Sequence, residues 1–139
     1  MEITVLKKNI EKRMMYVGVS DIKGVGLRAL HDIEKHTVVH YFKPEIYVFE
    51  LKYLETIATQ DQIIDLKRKY YYDEKEIYLD PKLTHDMIYY LNHSENSNIR
   101  YQEGYYISTR KIYKNEEILL NWSENNYHPK LRDFDNEEL

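Results

Sequence analysis

At 139 residues and a formal charge of −4, the chain has the length of one domain, large enough to bury a core and too short for an appended second one. It contains no cysteine, which excludes disulfides and cysteine-zinc clusters. A sequence pI near 5.9 argues against nucleic acid as a direct ligand, because phosphate binding shows as a basic face, and is compatible with a basic peptide. No apolar run approaches the roughly 18 residues of a membrane helix. The start, Met1-Glu2-Ile3-Thr4-Val5-Leu6-Lys7-Lys8, lacks the basic-then-apolar order of a signal peptide, so the expectation is a soluble, intracellular protein. The 15 tyrosines fit a biased codon usage as readily as a chemical role.

In chain order, residues 2–6, 14–19, 37–42 and 46–49 are rich in β-branched or aromatic side chains and predict short strands. From residue 49 to about 69, Leu51, Leu54, Ile57, Ile64 and Leu66 fall near helical spacing, and Thr59-Gln60-Asp61 divides the run into two helices. A strand is expected at 76–79. Thr84 is a candidate cap for a short helix through Tyr90, since a hydroxyl accepts from the first unsatisfied backbone donors. Strands follow at 105–109 and 118–120. Residues 133–139 carry four acids in seven positions without apolar periodicity, the composition of a disordered tail. Pattern alone predicts a mixed α and β chain, mainly β.

Three motifs stand in order along the chain. The first is Gly24-Val25-Gly26-Leu27-Arg28-Ala29-Leu30-His31-Asp32-Ile33-Glu34-Lys35-His36-Thr37-Val38-Val39. The second is Asn92-His93-Ser94-Glu95-Asn96-Ser97-Asn98. The third is Asn115-Glu116-Glu117-Ile118-Leu119-Leu120-Asn121-Trp122. A lone Gly-x-Gly is weak evidence; the three together resemble SET-domain protein-lysine methyltransferases, a minimal SET domain without cysteine-rich flanks. They read against the family patterns G-x-G-hydrophobic-x-A-x-x-D-I-x-K-G, N-H-S-C-x-P-N and G-E-E-hydrophobic-x-x-D-Y. This chain departs from them at His36 for a turn glycine, at Glu95 and Ser97 for Cys and Pro, and at Trp122 for the channel tyrosine.

The resemblance implies an α+β fold, mainly β with short helices, made of several small twisted sheets with a threaded, pseudo-knotted C-terminal segment. It implies one domain over residues 1–132, with a variable insert at about 49–79. It also implies S-adenosyl-L-methionine as cofactor and a protein or peptide with a target lysine, such as a basic tail, as partner. A histone target would imply a nuclear site of action.

Lys23, Gly24, Val25 and Gly26 match the cofactor loop, where glycine permits positive φ and close backbone approach. Asn92 offers an amide suited to the amino-acid end of the cofactor and the His93 backbone resembles the adenine-binding edge. Neither His93 nor any other of the six histidines forms a metal-ligand spacing or is assigned as a base. Tyr41 and Tyr101 occupy positions of channel tyrosines, Tyr78 resembles a tyrosine near the peptide groove, and Tyr127 matches an aromatic that covers the cofactor. Glu116 and Glu117, adjacent on a strand, point to opposite faces and cannot act as a catalytic pair; one is expected to tie down the threaded segment and the other to be solvated. Ser94 lies in no nucleophile elbow, so hydrolysis has no motif behind it.

Trp122 bears on the catalytic reading because its indole donates but cannot accept, and it lacks the phenolic oxygen that would orient an amine. Loss of such a positioned group costs on the order of 10² to 10³ in rate. Two readings therefore stand: a methyltransferase with a modified channel in which Tyr41, Tyr101, Trp122 and Tyr127 do the work, and an inactive module that binds cofactor or peptide and acts by interaction.

Overall fold

The computed structural model describes residues 2–123. The first expected strand is instead a helix, α1 (Ile3–Glu11). Ile3, Leu6 and Ile10 recur at helical spacing, and a helix satisfies its own backbone without a neighbouring strand. Then come β1 (Met15–Val19), β2 (Val25–Ala29), β3 (Val38–Tyr41) and β4 (Tyr47–Glu50). The helices α2 (Leu51–Ile57) and α3 (Gln60–Lys69) follow, divided at the expected place. Thr59 makes the division: its hydroxyl accepts from the Gln62 amide while the Gln62 side chain accepts from the Thr59 amide, a capping box.

After β5 (Glu76–Leu79), two 3-10 turns occupy Leu83–His85 and Met87–Tyr90. Thr84 lies inside the first of them. The cap of the second is Asp86, whose Oδ1 accepts from the Ile88 amide at 2.9 Å and pairs with His40 Nε2 at 2.7 Å. A carboxylate two residues before an open amide reaches it better than a hydroxyl four residues before. The remaining strands are β6 (Asn92–His93), β7 (Ile99–Gln102), β8 (Tyr105–Ser108) and β9 (Glu117–Leu120).

Seven strands form one sheet, six of them in the order β1-β2-β9-β7-β8-β3 and the seventh, β6, paired with β9 off that path; β4-β5 is a separate pair. The last strand among the described residues thus lies inside the sheet. β9 is antiparallel to β2, with Leu27 opposite Ile118, and parallel to β6 and β7, with His93 and Ile99 both opposite Leu120. Asn98 clamps it: its Oδ1 accepts from the Leu119 amide at 2.9 Å and its Nδ2 donates to the Glu117 carbonyl at 2.8 Å.

Leu27, Ile88, Leu91, Ile99, Tyr106, Ile118 and Leu120 are fully buried and make the main core. Leu54, Ile63 and Ile77 make a second, smaller cluster that holds α2 and α3 against the β4-β5 pair. Among the described residues no helix is long and apolar enough to cross a membrane.

Candidate functional site

Strand direction gathers the candidate residues. β3 and β7 are each antiparallel to β8, and β6 and β7 are each parallel to β9, so β3, β6, β7 and β9 all run the same way. Tyr41 ends β3, His93 ends β6, Tyr101 is near the end of β7, and Trp122 follows β9 by two residues. All four leave the sheet at the same end. Because β2 is antiparallel to β9, its start at Val25 and the preceding loop of residues 20–24 lie at that end too.

On the β3-β8-β7 side the aromatic rings interlock. Tyr41 packs on Tyr105 with centroids 4.7 Å apart, and Tyr101 packs on the buried Tyr106 at 5.1 Å. The turn between β7 and β8 makes room for this: Glu103 and Gly104 both have positive φ, and a Cβ on Gly104 would stand 2.9 Å from the Tyr41 ring. Burial pushes the Tyr101 hydroxyl above the ordinary phenol value; the Gly104 backbone opposes the shift and the Tyr41 phenol adds to it. Tyr101 is therefore a neutral hydroxyl at physiological pH, able to donate and to accept. Tyr41 is about half exposed.

Trp122 is partly buried against the main core. Its backbone amide donates to His93 Nδ1 at 3.1 Å, and the two rings lie 5.3 Å apart. That bond makes Nδ1 the acceptor nitrogen, so the imidazole holds the backbone that follows β9. Trp122 thus meets His93 of the second motif, and presents an indole where the family pattern has a tyrosine.

The two glycines of the loop at residues 23–26 do not share the positive φ expected of them. Gly24 does have positive φ, +53°, and the space where a Cβ would project is open. Gly26 does not need φ > 0; it lies in β2 and its missing side chain makes room for Glu117 and Asn92, whose Oε2 and Nδ2 would be 2.5 and 2.9 Å from a Cβ. The Asn92 Nδ2 faces four acceptors: Ser20 Oγ at 3.0 Å, Val25 O at 3.0 Å, Glu117 Oε2 at 3.1 Å and Lys23 O at 3.3 Å. Its Oδ1 accepts no hydrogen bond among the described residues. Lys23 and Val25 contribute through their carbonyls, and their side chains are exposed.

Glu117 is the tie that was expected, buried and holding the Ser20 hydroxyl and the Asp21 amide. Glu116 is not simply solvated. Burial acts to raise its pKa, and the Arg110 guanidinium at 2.6 Å, the Tyr113 amide and the Asn98 amide overcome that and hold the carboxyl below its ordinary value. Ser20 and Asn98 were not singled out by role; Ser20 sits in a loop with no periodicity, and only the folded register brings it to Glu117. Tyr78 is buried on β5, its backbone opposite Val48. Tyr127 and the tail at 133–139 lie outside the described residues.

Elsewhere, a groove of about 770 Å³ on the insert is lined by Leu51 and Ile63 with charged residues such as Glu50, Glu55, Lys67 and Glu74. It shares no residue with the convergence just described.

Compared with known families, residues 24–123 match the model described as SET domain. The chain belongs to the SET-domain family. Among solved structures, this SET domain is similar to a humanized mutant of the Chaetomium thermophilum Polycomb Repressive Complex 2 bound to an inhibitor, at 19% identity and TM-score 0.52, covering 81% of this chain and 15% of that one. It is also similar to apo ctPRC2 in an autoinhibited state, at 20% identity and TM-score 0.52, covering 81% and 16%. A Plasmodium falciparum putative histone methyltransferase matches at 18% identity and TM-score 0.45, covering 79% and 93%. The first two likenesses establish the shared fold, and the SET domain spans less than a fifth of those chains. A comparison with curated proteins gives no match.

The residues present fit the methyl-donor cofactor of the family on two observations: the open space beside Gly24 and the Oδ1 of Asn92, which accepts no hydrogen bond among the described residues while Nδ2 is engaged.

Proposed function

We propose that this SET domain transfers a methyl group from S-adenosylmethionine to a lysine of a protein substrate, slowly, through a channel whose polar work falls to Tyr41 and Tyr101. The observation behind it is the convergence of Tyr41, His93, Tyr101 and Trp122 at one end of four parallel-running strands, beside the Gly24 loop. Bound there, the cofactor supplies an electrophilic methyl on a sulfonium.

Asn92 Oδ1 is the acceptor for the amino-acid end, and the loop backbone around Gly24 the close-approach surface. His93 holds the segment after β9 through the Trp122 amide. A lysine amine has a reference pKa of about 10.4 and must be neutral to attack. Burial among aromatic walls and the nearby sulfonium charge both disfavour the ammonium. Tyr101, neutral at physiological pH as any ordinary phenol is and kept further so by burial, accepts from an amine N–H and orients its lone pair. Trp122 contributes a ring face, which attracts a methylammonium product by cation–π interaction, and nothing that accepts a hydrogen bond.

The substrate is a lysine-bearing segment, and the mild acidity of the chain makes a basic tail, such as a histone's, the first to try. Transfer of labelled methyl to a peptide array tests this. The native chain should label lysine peptides weakly and Trp122→Tyr should raise the rate by roughly 10² or more, the return of a positioned hydroxyl. If neither form labels any lysine peptide although both bind cofactor, the proposal fails. Trp122 itself favours the second reading that would then stand, a SET-fold module acting by binding.

A further inference from the structure

We propose that Glu117 is a positioning residue that sets which way the Asn92 amide faces, so that Oδ1 and not Nδ2 meets the ligand; this rests on the reading that Asn92 holds the amino-acid end of the cofactor. Glu117 is 5% exposed. Its carboxylate accepts from the Ser20 hydroxyl at 2.7 and 2.9 Å, the Asp21 amide at 2.8 Å and Asn92 Nδ2 at 3.1 Å, and among the described residues no cation pairs with it.

A carboxylate buried without a cation costs more than an apolar residue filling the same space, so stability alone is a poor reason for its presence. Its geometry supplies another. An ionised carboxylate only accepts, and turning Asn92 Oδ1 toward it would set oxygen against oxygen. The Lys23 and Val25 carbonyls reinforce the same orientation, and the loop that carries them is itself pinned by Glu117 through Ser20 and Asp21. Gly26, by lacking a Cβ, leaves the space in which the carboxylate and the Asn92 amide meet. One side chain therefore fixes both the amide and the loop, and leaves Oδ1 as the group available to an ammonium.

Calorimetric titration with S-adenosylhomocysteine and with 5′-methylthioadenosine, the same adenosine thioether without the amino-acid end, separates orientation from general support. The native chain should prefer the first ligand. Glu117→Gln, whose own amide can turn either way, should shrink that preference by roughly tenfold while leaving methylthioadenosine affinity within about twofold. Ser20→Ala, which removes one of the donors to Glu117 and leaves the carboxylate itself in place, should shrink it less and in the same direction. Parallel weakening of both ligands together with a fall in Tm would mean a merely structural role and overturn the proposal. So would a preference unchanged in both variants. A native chain that binds both ligands equally would instead remove the reading of Asn92, and with it this inference.

Discussion

His36 stands where the family pattern has a turn glycine, and the backbone keeps the glycine conformation: φ is +65° at His36, and +69° at Asn115, which replaces the glycine of the third motif. The two substitutions are not equal. Asparagine visits the left-handed region readily, because its short polar side chain bonds locally, whereas histidine gains less from doing so. Asn115 also accepts from the Tyr16 hydroxyl at 2.9 Å and, through its carbonyl, from Arg28, so it is held by the fold. Left-handed φ costs an L-residue about 1–2 kcal/mol, and glycine's extra freedom when unfolded returns roughly 0.5–1 of that, so His36→Gly should stabilise by about 0.5–1 kcal/mol. Thermal melting of the two forms checks it; an unchanged or lowered Tm would mean that the His36 side chain makes a compensating contact. At this scale the sequence was most informative where a residue broke the pattern, because the chain must still satisfy the geometry that the pattern encodes. It was least informative about Gly26, whose role depends on a carboxylate 91 positions later in the chain and not on its own φ.

At the scale of elements, β9 is held by the side chains of its first residue, Glu117, and of Glu116 just before it. Glu116 faces Arg110, Asn98 and the Tyr113 amide, and its folded-state pKa lies below the ordinary value. A carboxyl depressed by folding contributes stability above its unfolded pKa and loses it as pH falls through the folded one, where the unfolded chain binds more protons. Glu116→Gln should therefore be less stable than the native chain at neutral pH, and the difference should narrow on going to about pH 3. Urea denaturation at both pH values reads it, and a gap of constant size would show that the Arg110 pair is irrelevant to β9.

The elements legible in sequence were those with period or caps of their own: the capping box at Thr59 that separates α2 from α3, and the alternation that marks β8. Strands β2, β6 and β7 were not foreseen as strands because each is defined by its partner. β6 is two residues long and exists only as a ladder on β9. The opposite error at α1 has the same cause, since an apolar run without a neighbour to pair with folds on itself.

For the whole molecule, what places the candidate site is the insertion of β9 between β2 and the β6 and β7 ends. That step carries Glu117 under Gly26, brings Trp122 against His93, and sets Asn92 between the loop and the strand. The motifs were readable as a family resemblance long before any of these contacts could be derived, because the three stretches meet only once the chain has closed around β9. The insert, with its own small core of Leu54, Ile63 and Ile77, stands outside that arrangement.

The account is tested most directly by calorimetric titration of the chain with S-adenosylmethionine, repeated on Asn92→Ala. It predicts saturable binding at about micromolar affinity, near −8 kcal/mol, that is lost in Asn92→Ala while the variant still melts cooperatively. Absence of binding by the native chain, or binding that survives Asn92→Ala unchanged, would contradict it.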